Sequence, residues 1–251
     1  TYRLTLAGPC DNGDITLTTG GTLNMSGIGT YNSAVTNHGG TVMLEGIIAL
    51  NKPYINEPGS TYIISPLSTV TITGGETNSG TMDVNGTLTG NLTNNAGGTV
   101  GGTGTITGNL ANNGMVNPGN SIGTLTIKGN YSQSSQGKLL IEVASTSSND
   151  VLAITGSADL NGALQTSWSG GYTPAINTKF GTILTASSGV AGQFSSLLTN
   201  ITPTLLFKPR YDVSNQVYLV VERDYANQNL LPYLSPNQRA IASMLNSVGN
   251  N

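Results

Sequence analysis

Short runs of alternating apolar and polar residues fill the first half of the chain, and each run follows a corner built from Asn, Gly and Thr or Ser. In three of the runs the apolar residues stand two and four places after the corner glycine, as Leu23 and Met25, Val42 and Leu44, and Met82 and Val84. Side chains that alternate with a period of two lie on opposite faces of a β-strand. The pattern therefore predicts strands with one buried face.

These corners repeat along the chain. Their glycines stand 16 to 21 residues apart, at Gly21, Gly40, Gly59, Gly80, Gly98 and Gly114. After Gly59 the apolar residues stand one place later, at Tyr62 and Ile64, and after Gly98 the alternation becomes weak. The interval is too short for a βαβ unit, which takes about 30 residues. The repeat predicts an all-β fold, a right-handed parallel β-helix, whose stacked turns stabilise one another and whose ends need caps.

The second half of the chain carries longer strands, which are expected to close one end of the β-helix as hairpins or a small sandwich. Turn-forming residues at 148–150 and 212–215 predict hairpin connections. The predicted strands are Leu139–Val143, Val151–Ile154, Ala163–Trp168, Phe180–Leu184, Leu205–Tyr211 and Gln216–Val221.

One helix is predicted near the C-terminus. Ser235 is a favourable N-cap, and Pro236 suits the first helical position. Apolar residues then follow at helical spacing, as Ile241, Met244, Leu245 and Val248.

Composition narrows the class of protein. The chain has 251 residues, of which 34 are glycine and 8% are charged, with a formal net charge of −3. A hydrophobic fraction of 37% with so little charge argues against intrinsic disorder. Nine scattered Lys and Arg residues form no basic stripe, so a nucleic-acid partner is not expected. The single cysteine, Cys10, excludes an internal disulfide framework, and no apolar run is long enough for a membrane-spanning helix.

The few residues with catalytic potential are not grouped in the sequence. His38, the one histidine, stands at a corner and is interpreted as a turn residue rather than a catalytic base. Asp11 and Asp14 precede the first recognisable turn, and the other acids of the first half occupy different phases of the repeat: Glu45, Glu57, Glu76 and Asp83. We expect these acids to be solvated surface groups, with a polysaccharide-cleaving carboxylate pair as the alternative.

Two further features have both a functional and a structural interpretation. The glycine-rich run at 97–104 contains no Lys or Asp, so it fits neither a phosphate loop nor a calcium repeat, and its glycines are expected to turn corners. Trp168 and Tyr172 could stack on a sugar, but packing in the core or cap is favoured. The sequence therefore predicts no catalytic residue, no cofactor site and no metal site, and the chain is not expected to be an enzyme.

From residue 115 the repeat gives way to a different sequence. It reads MVNPGNSIGTLTIKGNYSQ at 115–133, GKLLIEV at 137–143 and NDVLAITGSADLNG at 149–162. These runs resemble the segment in which the passenger of a bacterial type V autotransporter passes from its β-helix into its autochaperone, as in pertactin-like proteins and self-associating adhesins. The run SPNQRA at 235–240 resembles the junction between passenger and translocating barrel. The resemblance implies a β-helix stalk over residues 1–130, an autochaperone cap over 131–225, and a linker and helix over 226–251.

The same resemblance implies a function. It implies secretion through the protein's own outer-membrane β-barrel, display on the surface of a Gram-negative cell, and a virulence role as an adhesin that contacts a host receptor, a glycan or another copy of the passenger. One alternative is a stalk that carries a protease or lipase domain upstream. Another is a β-helix enzyme that degrades polysaccharides.

Overall fold

The computed structural model describes residues 3–6, 13–225 and 231–248. It confirms the predicted all-β class, because the chain forms a parallel β-solenoid followed by one short helix. The strands of the described part are numbered β1–β29 in chain order, and the parallel ones line three faces of the solenoid.

The first face is built from parallel strands that stack from one turn to the next. It consists of β1 (Arg3–Leu6), the first halves of β3 (Thr22–Tyr31) and β5 (Thr41–Leu50), then β7 (Thr61–Ile64), β10 (Thr81–Val84), β13 (Thr99–Gly102), β16 (Met115–Pro118), β19 (Lys138–Ser145), β23 (Ala163–Trp168) and β26 (Ser196–Leu198). The second face consists of the second halves of β3 and β5, then β8 (Thr69–Ile72), β11 (Thr87–Thr89), β14 (Thr105–Thr107), β17 (Thr124–Ile127), β21 (Val151–Ile154) and β24 (Lys179–Ala186).

The third face is a separate parallel sheet. It consists of β2 (Ile15–Thr18), β4 (Val35–His38), β6 (Tyr54–Asn56), β9 (Glu76–Asn78), β12 (Leu92–Asn94), β15 (Leu110–Asn112), β18 (Tyr131–Gln133), β22 (Ala158–Leu160) and β25 (Val190–Gly192).

The strand register explains the irregular repeat. Val42, Tyr62 and Met82 are paired partners on successive turns, and all three are fully buried. The backbone N–H of Thr81 bonds to the carbonyl oxygen of Ser60, as that of Thr61 bonds to Gly40. Ser60, rather than Gly59, therefore occupies the corner position, so the one-residue slip is absorbed in the turn before it.

Small residues at the corners allow the turns to stack closely. A Cβ atom added to Gly98 would lie 2.5 Å from the carbonyl oxygen of Asn78 on the preceding turn. A separation below 3 Å between these atoms would force the backbone apart. The contact between turns thus requires glycine at this corner, whereas Ser60 shows that another turn accommodates a side chain at the equivalent position.

The predicted strands of the second half are confirmed, and their pairing shows how the solenoid ends. The parallel ladders continue across residue 130, since β17 pairs with β21 and β19 pairs with β23. The pairing becomes antiparallel where β24 meets β29 (Gln216–Arg223), which forms a hairpin with β28 (Leu205–Val213). Two shorter antiparallel strands are β20 (Ser148–Asn149) and β27 (Asn200–Thr202).

The C-terminal helix begins as predicted. A 3₁₀ turn over Leu231–Tyr233 precedes helix α1 (Pro236–Val248). Ser235 and Gln238 form a reciprocal cap, in which the Gln238 N–H donates to Ser235 Oγ and the Ser235 N–H donates to Gln238 Oε1. The predicted apolar stripe of Ile241, Met244, Leu245 and Val248 is exposed to solvent.

Candidate functional site in the core and the cap

A ladder of buried asparagines runs through the interior of the third face. Its members occupy the same position on successive turns: Asn37, Asn56, Asn78, Asn94 and Asn112. Each of the first four donates a hydrogen bond from Nδ2 to Oδ1 of the next asparagine, at 3.2 Å for the first pair and 2.8 Å for the following three. At one end Asn37 is paired with Leu17, and at the other Asn112 is paired with Gln133, which continues the ladder.

The ladder also bonds to the backbone of neighbouring turns. Asn78 Nδ2 donates to the carbonyl oxygen of Gly80 at its own corner and to that of Thr99 on the following turn. Gln133 Nε2 donates in the same way to the carbonyl oxygens of Asn161 and Ala163. A buried amide that is bonded on several sides stabilises the fold and fixes the register of the turns. The sequence marked these asparagines as corner residues but gave no sign that they are buried and stacked.

Glu76 was expected to be a solvated surface acid, and that expectation is wrong. The side chain is only 3% exposed and lies in an interior column of the third face, where its paired partners are Tyr54 and Leu92. The ring of Tyr54 stacks on that of Tyr62, with centroids 4.1 Å apart. Both carboxylate oxygens of Glu76 and both phenol oxygens are buried without a hydrogen-bond partner.

This cluster changes the protonation of its members. Burial raises the pKa of Glu76 to about 8, because an ionised carboxylate loses its hydration there. Burial also raises the pKa values of Tyr54 and Tyr62, and the charge of a nearby ionised Glu76 would raise them further. Glu76 is therefore mainly a neutral carboxylic acid at pH 7.

Of the other candidate residues identified from the sequence, His38 and Glu57 contact each other, and the rest lie apart on the solenoid. His38 Nδ1 contacts Glu57 Oε2 on the next turn, and both side chains are well exposed. Asn24 donates to Glu45, and Asp14 accepts a hydrogen bond from the backbone N–H of Ala34. Asp83 stands on the first face, where its paired partners are Ile63 and Gly101. Cys10 and Asp11 lie outside the described residues.

Asp150 is a buried acid that sequence reasoning did not single out as a site. Its Oδ1 accepts from the N–H of Gly123, and its Oδ2 accepts from the N–H of Glu142. Burial raises its pKa to about 6, and the two hydrogen bonds oppose that rise. The carboxylate joins the loop before β17 to strand β19 and the hairpin that follows. Its position in the turn predicted at 148–150 was the available signal, although the structure places the turn at 146–147 and Ser148–Asn149 in strand β20.

An aromatic cluster closes the C-terminal end of the interior. Trp168 contacts Phe180 and Phe207 edge-on, with centroids 5.6 Å apart in both pairs, and these two phenylalanines lie 4.9 Å from each other. Trp168 Nε1 donates to the carbonyl oxygen of Tyr172, whose ring is half exposed. Trp168 is thus packed in the cap, while Tyr172 lies on its outer side.

The glycine-rich run at 97–104 forms a strand and its two flanking corners rather than a ligand-binding loop. It supplies a corner at Gly97 and Gly98, strand β13, and a further corner that ends at Gly104. Gly97 and Gly102 have φ values of +85° and +107°, which favour glycine.

An open cleft of about 420 Å³ lies beside the cap, between the segment at 193–197 and strand β28. Lys208, Arg210, Tyr211 and Asp212 line one side, and Phe194 lines the other. The N–H of Phe194 donates to the phenol oxygen of Tyr211, and Arg210 forms an ion pair with Glu222. Asp212 accepts a hydrogen bond from the Tyr218 hydroxyl, so two of the three charged groups at this cleft have partners in the cap.

Within the described ranges, no three His, Cys, Asp or Glu side chains are placed to share a metal ion. No described helix combines the length and apolar character needed to cross a bilayer. A scan against sequence models of protein families found no match, and a search of curated proteins found no similar sequence.

Proposed function

We propose that this chain is the stalk and folding cap of a secreted autotransporter passenger, which supports export and displays an adhesin or another virulence factor at the surface of a Gram-negative cell. The observation that supports this proposal is how the solenoid ends. A continuous stack of parallel strands meets an antiparallel cap that is packed with aromatic side chains. The segments that resemble the family's autochaperone, at 115–165, lie in the turns leading to this cap.

The arrangement suits a chain that folds from one end. A single turn cannot bury enough apolar surface to be stable, so each turn needs a folded neighbour. The cap has the larger aromatic side chains and antiparallel hairpins, whose contacts are closer in sequence than those between turns. A folded cap would present strand edges with unpaired N–H and C=O groups, to which the next turn can add. Folding outside the cell would then help to draw the remaining chain across the membrane.

Surface display and the role of the cap can be tested together. The complete reading frame would be expressed in a Gram-negative host, and the fraction of chain cleaved by protease added to intact cells would be measured. We expect Phe207→Ala in the cap to lower the amount of protease-resistant passenger at the surface much more than Leu88→Ala in the stalk.

The two substitutions each truncate a fully buried side chain, so they are matched in burial. Equal effects of the two variants would contradict the special role of the cap. A chain that stays inside intact cells, beyond reach of the protease, would contradict the proposed function itself.

A further inference from the structure

The second face carries a regular grid of threonines. Strands β8, β11 and β14 read Thr-Val-Thr, Thr-Leu-Thr and Thr-Ile-Thr. The register places these side chains in two columns, Thr69, Thr87 and Thr105 in one and Thr71, Thr89 and Thr107 in the other. We call these six residues the threonine grid. The residues between the columns, Val70, Leu88 and Ile106, are fully buried, so the threonines point outwards.

The spacing of the grid follows from β geometry. Rows on successive turns are about 4.8 Å apart, and the two columns are separated by two strand residues, roughly 6.6 Å. Threonine is branched at Cβ, which restricts its χ1 rotation. Methyl and hydroxyl groups are thus held at repeating positions with little conformational freedom left to lose on binding.

The hydroxyl groups of the grid are available to a ligand. Among the described residues, none of the six donates or accepts a side-chain hydrogen bond, and none of their oxygens is buried. Each hydroxyl can donate one hydrogen bond and accept two. The grid therefore offers a periodic set of unused hydrogen-bonding groups that alternate with methyl groups.

The grid and the rows on its N-terminal side carry no charged side chain. On the N-terminal side, its columns continue into Ile47 and Ala49, and Ile47 is in turn paired with Ile28. Ile28 and Ile47 are 77% and 56% exposed. On the other side Thr126 extends the first column, whereas the second column ends at Thr107, because the next residue in register is the exposed Lys128, whose backbone bonds to Ile106 and Gly108. The first and third faces differ, because they carry Asp83 and Asp159 at outward positions.

We infer that the second face binds ice. An uncharged surface matches an uncharged partner, and a grid that repeats in two directions matches a partner that itself repeats in two directions. The grid has no aromatic side chain on which a sugar ring could stack. Ordered water can bond to the hydroxyl groups and surround the methyl groups at fixed spacing, which is how a crystal face of ice would be recognised. This inference goes beyond the proposed function and does not depend on it.

The test measures two properties of ice in the presence of the purified chain. One is thermal hysteresis, the gap between the melting and freezing temperatures, and the other is recrystallisation, the growth of ice grains with time. The grid variant Thr87→Lys with Thr105→Lys places two charges on adjacent rows. The control, Thr61→Lys with Thr81→Lys, places the same two charges on adjacent turns of the first face, where Thr61 and Thr81 are paired. Thermal unfolding followed by circular dichroism checks that both variants stay folded.

We expect the parent chain and the control to slow grain growth, and the grid variant to lose about tenfold or more in potency. A parent chain without effect on ice would overturn the inference, as would an equal loss in the two folded variants. Binding to microcrystalline cellulose or chitin without any effect on ice would also overturn it, by assigning the face to a polysaccharide. If the grid variant unfolds, Thr87→Val with Thr105→Val, which removes only the hydroxyl groups, takes its place with the same expected loss.

Discussion

Asn78 donates a hydrogen bond to Asn94 across 2.8 Å in the interior of the solenoid, although the two residues are 16 positions apart in the sequence. The same bond recurs from turn to turn, so that one column of amides connects much of the stack. Because Asn78 also bonds to backbone groups of its own corner and of the next turn, its loss leaves buried groups without partners.

Asn78→Ala is expected to lower the free energy of unfolding by about 1–3 kcal/mol, the usual effect of unpairing buried polar groups. Thr93→Ala, at an outward position of the neighbouring strand β12, is the control and should change it by no more than about 0.5 kcal/mol. Denaturation in urea measures both. Equal effects of the two substitutions would show that the ladder adds nothing beyond ordinary strand packing.

The buried Glu76 is expected to make the stability of the protein depend on pH. Its pKa rises from 4.5 in the unfolded chain to about 8 in the fold, so folding takes up a proton between these values. Stability is then highest below about pH 4.5 and falls as the pH rises towards 8, by up to about 1.4 kcal/mol per pH unit.

Glu76→Gln should remove most of this pH dependence, since the amide does not ionise. Asp159→Asn, which alters an exposed acid on the same face, should leave it in place. Thermal or urea unfolding at several pH values between about 5 and 8 provides the measurement. A parent protein whose stability is flat over this range would contradict the buried, neutral state of Glu76.

Asp150 joins two segments through hydrogen bonds to backbone N–H groups, and its removal should loosen both. Asp150→Ala leaves the N–H groups of Gly123 and Glu142 without their acceptor, so we expect a loss of about 1–3 kcal/mol in the free energy of unfolding. Ser148→Ala in strand β20, two residues before Asp150, is the control. Hydrogen exchange at Gly123 and Glu142 should speed up in the Asp150 variant alone, and unchanged exchange would rule out this role.

Phe207 is fully buried in the aromatic cap, and Phe207→Ala should lower the free energy of unfolding by about 3–5 kcal/mol. Tyr172→Ala removes a ring that also contacts Trp168 but is half exposed, so a much smaller loss is expected. Trp168 is the single tryptophan of the chain, and its fluorescence reports on the cap directly. If both variants lose the same stability, the cap is not closed by the Phe180–Phe207 contact.

The sequence alone determined the fold class, because the solenoid is built from local rules that repeat. The alternation of Leu23 and Met25 with polar residues predicts a strand with one buried face, and the corner glycines predict where each turn ends. Ser235 and Pro236 predicted the start of the helix for the same reason, since capping depends on neighbours within one turn.

Only the tertiary structure decided which polar residues are inside. Asn78 and Glu76 stand two places apart in β9 and both point inwards, although one is bonded on several sides and the other has no partner. The environment of each side chain is set by residues of the adjacent turns. Because the interval between corners is irregular at Gly59 and Ser60, the sequence does not show which residues are stacked. The threonine grid depends on the same register, because a column of side chains exists only once the turns are aligned.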